Sequence, residues 1–192
     1  DFLFKILSST TNENNETITL DGQIDALVST VKITNEIMKI SNVDFSSGLN
    51  DNNVNDIIEM LRNLQTIKES LDNESISTIN QLVNSITSSI SSDANIDLSG
   101  FDLNTISFTN EANIIDEVYK ASKSENIADV NFTNLINNLK DSTIILPLVS
   151  SSDVAIDVND SKKDEINETI ESLTDCNDKT KDNLKKLFKI AE

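Results

Sequence analysis

Apolar residues return every third or fourth position through most of this chain, and that spacing restricts it to amphipathic α-helix. From Asn53 to Leu71 they fall at Val54, Ile57, Ile58, Met60, Leu61, Leu64, Ile67 and Leu71. From Ser75 to Ile90 the stripe is Ile76, Ile79, Leu82, Val83, Ile86 and Ile90. The run LDNES (Leu71 to Ser75) between them is short enough to force an antiparallel hairpin. Asn50 or Asp51 stands where a short polar side chain caps the first amides of the earlier helix. A less regular helix is expected from Gln23 to Ile40, with Ile24, Leu27, Val28, Val31, Ile37, Met38 and Ile40. Shorter helices are expected over Glu111 to Ala121, Thr133 to Leu139, Ser161 to Leu173 and Asp178 to Ala191, and Ser161 with Asp164 matches the [ST]-x-x-[DE] capping pattern. Residues 142–149 read as a helix kinked at Pro147 or as a strand, with helix preferred, because proline removes a donor in either. The fold class is therefore all-α: antiparallel amphipathic helices joined by short extended connectors.

Between the helices an alternating tetrad recurs: Ile18-Thr19-Leu20-Asp21, Val43-Asp44-Phe45-Ser46, Ile96-Asp97-Leu98-Ser99, Ile106-Ser107-Phe108-Thr109, Val130-Asn131-Phe132-Thr133 and Ile156-Asp157-Val158-Asn159. Alternation favours extended backbone with both apolar side chains pointing one way, and the closing polar residue is placed to cap the next helix or turn. Several spacings are close to 25 residues, which suggests a degenerate helical repeat. Such a repeat would stack into an elongated rod. The minor alternative is α/β, with the tetrads paired as very short strands. Residues 1–192 read as one helical module with a sub-boundary near 93–110. The apolar opening Phe2, Leu3, Phe4, Ile6 and Leu7, with a helical pattern over Lys185 to Glu192, suggests a piece of a longer protein.

Composition excludes several chemistries. The chain of 192 residues has no histidine and one cysteine, so it has no Ser-His-Asp relay, histidine metal ligand or thiolate zinc site. Three glycines cannot build a phosphate-cradling loop. A net charge of -18 repels phosphate backbones, so nucleic acid is not an expected partner. The longest apolar run, Ile144 to Val149, falls far short of the roughly 20 residues that span a bilayer.

Calcium is the metal the side chains best suit. Asp157, Asn159, Ser161 and Glu168 occupy positions 1, 3, 5 and 12 of an EF-hand count, but Lys162 stands where the loop needs glycine. A second partial match, Asp93, Asn95, Asp97 and Ser99, ends on Asn104. Helix capping explains the same residues, and no metal site is assigned. Paired carboxylates can hydrolyse glycosides, yet sugar sites favour aromatic platforms and this chain has no Trp and one Tyr. Residues 162–192 hold seven lysines and eight acids, a net of -1, leaving -17 for residues 1–161. The locally basic last helix (Lys179, Lys181, Lys185, Lys186, Lys189) reads as a docking face for an acidic partner or as cations answering a helix dipole. Cys176 reads as structural, and the sequons at Asn15, Asn73, Asn131, Asn159 and Asn167 are expected by chance in so Asn-rich a chain.

With no catalytic set and no cofactor indicated, the expected function is a non-enzymatic helical structural, spacer or adhesion module of a larger protein. The alternative is a compact helical module that binds a protein or ligand, and a calcium-dependent domain is a lesser one. Expected partners are another protein or neighbouring copies of the chain. Low cysteine and an acidic surface suggest exposure outside a cell or at its surface.

Overall fold

The computed structural model describes residues 20–87, 101–124 and 127–190. The opening apolar cluster, the Asn15 sequon, the Ile96 tetrad, the Asp93 calcium match and the start of the Ile18 tetrad lie outside them. Among the described residues there are eight α-helices and no strand. They are α1 (Leu20–Ser41), α2 (Asp51–Glu69), α3 (Asn73–Thr87), α4 (Phe108–Lys123), α5 (Phe132–Lys140), α6 (Ile145–Ser150), α7 (Asp160–Glu171) and α8 (Asp178–Leu187). A 3-10 turn, Ile127–Asp129, precedes α5.

The α2 stripe is buried as its spacing predicts: Val54, Ile57, Leu61 and Leu64 are each 3% exposed or less. Burying such a side chain contributes roughly 1.5–3 kcal/mol relative to leaving it in water. Helix α1 packs against both α2 and α3, and α4 packs against α2. Helices α5, α6, α7 and α8 cluster on one another, with α4 contacting α5 and α6. One group of buried apolar residues runs through all of this, from Ala26 on α1 to Phe188 beyond α8. Phe132 and Phe188 meet edge to face at 5.8 Å between ring centres, fastening α5 to the end of α8.

A helical repeat is not confirmed among the described helices. Their lengths run from 22 residues to six, and α1 with α3, α2 with α4, and α6 with α8 pack across an intervening element. Three of the described tetrads, at Ile106, Val130 and Ile156, serve instead as helix entries. Phe45, Ile106, Phe108, Phe132 and Ile156 are buried, and Val43, Val130 and Val158 half-buried. The capping oxygen is not always on the closing residue. Ser107 caps α4 and Asn131 caps α5 from the second position of their tetrads, whereas Asn159 caps α7 from the fourth. In the tetrad at Val43, Asp44 instead accepts from the Ser46 amide at 2.8 Å, closing a turn.

The hairpin expected across 71–75 does not form, since α2 and α3 both pack on α1 rather than along one another, and three further details differ from the sequence reading. First, α7 begins at Asp160 under an Asn159 cap, so Ser161 lies inside its first turn and does not form a capping box with Asp164. Second, residues 145–150 are helical without a kink, because Pro147 falls in the first turn, where its missing N–H is one the helix leaves unpaired anyway. Third, α8 stops at Leu187 rather than running on toward Ala191. Lys189 adopts a left-handed φ of 53°, and the amides of Lys189 and Ile190 return to the carbonyls of Lys186 and Lys185 at 3.0 and 2.9 Å. That is a Schellman stop made without glycine.

Candidate functional site

The described surface is concave in at least two places. A shallow groove of about 360 Å³ between α1 and α2 is lined by Lys32, Asn35, Glu36, Lys39, Asn63, Thr66 and Ile67. A cleft of about 370 Å³ beside α4 and α5 gathers Glu111, Glu117, Asp141 and several amides and hydroxyls. The cleft is the place where carboxylates come nearest to forming a site, so its chemistry depends on what those carboxylates already bind.

Glu111 is 4% exposed and was not singled out by sequence. It sits in the first turn of α4, on the face that packs against α6. Its carboxylate accepts from the Ser142 hydroxyl at 2.6 Å and from the amides of Thr143 at 2.6 Å, Ile144 at 3.3 Å and Ile145 at 3.0 Å. Helix α6 has no side-chain cap of its own at Ile144. Glu111, supplied from 33 residues earlier in the chain, therefore caps it together with the Ser142 hydroxyl, which accepts from Ile145 and Leu146, and the negative charge lies against the positive end of the α6 dipole. Glu117 accepts from the Asn138 amide at 2.9 Å, and Asp141 pairs with Lys140 at 3.5 Å. Each of the three carboxylates already has a partner.

Other buried and half-buried polar groups act in the same way. Asn53 is 6% exposed; its Oδ1 accepts from the Asn50 amide at 2.9 Å while its Nδ2 donates to the carbonyls of Gly48 and Asp44 at 2.8 and 3.2 Å. Asn50 reciprocates by accepting from the Asn53 amide, which completes a capping box at the expected start of α2. Asn80 of α3 accepts from the Leu103 amide at 2.8 Å and donates to Asp102 at 2.6 Å, and Asn84 donates to the Phe101 carbonyl at 3.1 Å. Lys68 at the end of α2 donates to the Ile106 carbonyl at 2.5 Å. Segment 101–106 is thus held against α2 and α3 by side chains.

The EF-hand match is not assembled as a metal cage. Asp157 pairs with Lys189 at 2.6 Å, the Asn159 side-chain oxygen accepts from the Lys162 amide at 2.9 Å, and Glu168 lies exposed on the third turn of α7. Among the described residues no three Asp, Glu or Cys side chains converge on a point that would hold a metal ion. No described helix is long and apolar enough to cross a membrane.

The basic face of α8 is partly engaged by the chain itself. Lys185 pairs with Glu171 at 2.5 Å, and Lys181 donates to the Glu171 carbonyl at 3.0 Å, at the negative end of α7. The Lys185 hydrogen bond holds the Glu171 carboxyl below its ordinary value and raises the Lys185 ammonium above its own. Lys140 does the same to Asp175 in the α7–α8 connector, chiefly through their hydrogen bond. Tyr119 of α4 donates to Asp51 at 2.5 Å, which raises the phenol above its usual range. Cys176 is a free thiol, half-buried in the connector before α8. Of the sequon asparagines, Asn131 and Asn159 are helix caps and Asn73 opens α3.

No family model, curated protein or solved structure matches this chain.

Proposed function

We propose that this chain is a non-enzymatic structural module of a larger protein, a folded helical body that holds position between or beside other segments. One observation carries the reading. The four buried polar or charged residues described, Thr30, Asn53, Thr78 and Glu111, all bond to this chain's own backbone. Catalytic and ligand sites keep convergent polar groups with bonding capacity directed into a cavity. Here Asn53 and Glu111 hold helix starts and connectors, and Thr30 and Thr78 return to carbonyls one turn back in their own helices. Placement outside a cell or at its surface belongs to the same reading and rests on the acidic, cysteine-poor composition.

Thermal melting in the presence and absence of millimolar calcium, and against a panel of sugars and small metabolites, tests the proposal. The structural reading expects no shift, whereas a ligand that binds the native state raises the melting point in proportion to its concentration over Kd. A dose-dependent rise would overturn it and return the cleft at Glu117 and Asp141 to consideration. Small-angle scattering separates a compact body, with a radius of gyration of roughly 16 Å, from a rod. The second reading, a compact protein-binding module, is favoured by one specific feature: α1 turns Ile24, Val28, Val31 and Met38 outward.

A further inference from the structure

Helix α1 is apolar on two opposite sides. Ala26, Thr30, Ile33, Ile37 and Ile40 are buried against α2 and α3, all 3% exposed or less. Ile24, Val28, Val31 and Met38 are 46–50% exposed, and they are the exposed large hydrophobics of the described chain. At 100° per residue the two sets lie about 160° apart around the helix. The outer set, with Asn35 between, has the 4-3-4-3 spacing of a seam that receives another apolar segment. A helix apolar on both sides is ordinarily covered on both, and the described body covers one.

We propose that the outer face of α1 is the docking site for the chain's own opening segment, with Phe2, Leu3, Phe4, Ile6 and Leu7 folded back along Ile24, Val28, Val31 and Met38. The segment is joined directly to α1. Residues 8–19 supply 12 links, which span up to about 40 Å when extended. The seam from Ile24 to Met38 is about 21 Å long. The tether therefore reaches every part of the seam. It also holds the apolar cluster at an effective concentration of about millimolar, which a separate molecule would have to match. Charge favours the same occupant. A second copy would bring another -18 to the surface, whereas residues 1–19, with Asp1, Glu13 and Glu16 against Lys5, bring a net of -2. This inference does not depend on the structural-module reading.

The chain has no tryptophan, so Phe4→Trp in the 192-residue chain gives a single indole reporter. The proposal expects a monomer by sedimentation, with short-wavelength emission and weak iodide quenching that do not change on dilution. Adding Val28→Asp and Val31→Asp, both at exposed positions, should move the emission to that of indole in water and raise quenching several-fold, with helical ellipticity retained. Leu3→Asp with Ile6→Asp should do the same while leaving the helical body untouched. A water-like indole in the parent would overturn the proposal, as would burial that survives both pairs of substitutions. Burial lost on dilution together with a dissociating dimer would instead assign the face to a second copy.

Discussion

Replacing Glu111 tests the cap that holds α6 in place. In Glu111→Ala the Thr143 and Ile144 amides lose the acceptor they have, while Ile145 keeps the Ser142 hydroxyl oxygen at 2.9 Å. An unsatisfied buried donor costs about 1–3 kcal/mol and a half-buried one about 1 kcal/mol, so the Ile144 and Thr143 amides together cost about 2–4 kcal/mol. The vacated side-chain volume at a 4% exposed site adds about 1 kcal/mol. Glu111→Ala should therefore lose about 3–5 kcal/mol. Glu111→Gln, which keeps one acceptor but turns an NH₂ toward the same donors, should lose about 2–3 kcal/mol. Urea unfolding followed by circular dichroism reads this directly. With a slope of about 2 kcal/mol per molar, the alanine midpoint falls by about 1.5–2.5 M. Because marginal stability is about 5–15 kcal/mol, the folded baseline must be checked at zero urea. A loss below about 1 kcal/mol for both variants would refute the reasoning, since it would mean the α6 amides find other partners without Glu111.

The same logic extends to other positions. Asn53→Ala removes a reciprocal cap and two carbonyl partners, and should lose about 2–3 kcal/mol by urea midpoint, against a few tenths for the exposed neighbour Asn55→Ala. At Lys189, where φ is positive, stability should rank Gly above Lys above Val. The glycine variant should gain up to about 1 kcal/mol despite losing the exposed Asp157 pair, and the reverse order in thermal melts would exclude the left-handed stop. Acid sensitivity arises from lowered carboxyl groups. Asp44, Asp72, Glu171 and Asp175 are held below their ordinary values, the first two by the Ser46 and Ser75 backbone amides and the others by Lys185 and Lys140. Their stabilisation is present above the unfolded-state values near pH 4 and is lost as pH falls through the lowered folded ones. Lys140, Lys185 and Tyr119 are raised, so their contribution is lost only above about pH 10. With no histidine, the melting temperature should stay flat between about pH 5 and 8, and a step in that window would contradict the assignment.

How much of this was readable without coordinates depends on the range of each contact. The α2 stripe and its Asn50 cap are local, set by residues three or four apart, and they appear in the structure where the spacing put them. Apolar periodicity on α1 located a helix but not its inner face. Ile24, Val28, Val31 and Met38 belong to the same apolar series as Ile37 and Ile40, and only the packing of α2 and α3 decides which side is buried. In the sequence Glu111 marks only the start of an expected helix, because its role depends on amides more than 30 positions later. Asn80 was hidden for the same reason, being one asparagine among many until Leu103 lies against it. The stop at Lys189 lacked the glycine that usually marks one. The calcium match illustrates the converse: the spacing was local and present, but Asn159 and Asp157 serve a helix amide and a lysine.

The central claim is that side chains from distant helices hold the connectors as firmly as the helices hold themselves. Native-state amide hydrogen exchange tests it most directly, at Leu103, Thr143 and Ile144, none of which lies within a helix. These three amides should be protected to nearly the same degree as Leu61 and Ile115 in the helix interiors, and Glu111→Ala should release Thr143 and Ile144 while leaving Leu103 protected. Exchange at the rate of an open chain for all three in the unsubstituted protein would contradict the account.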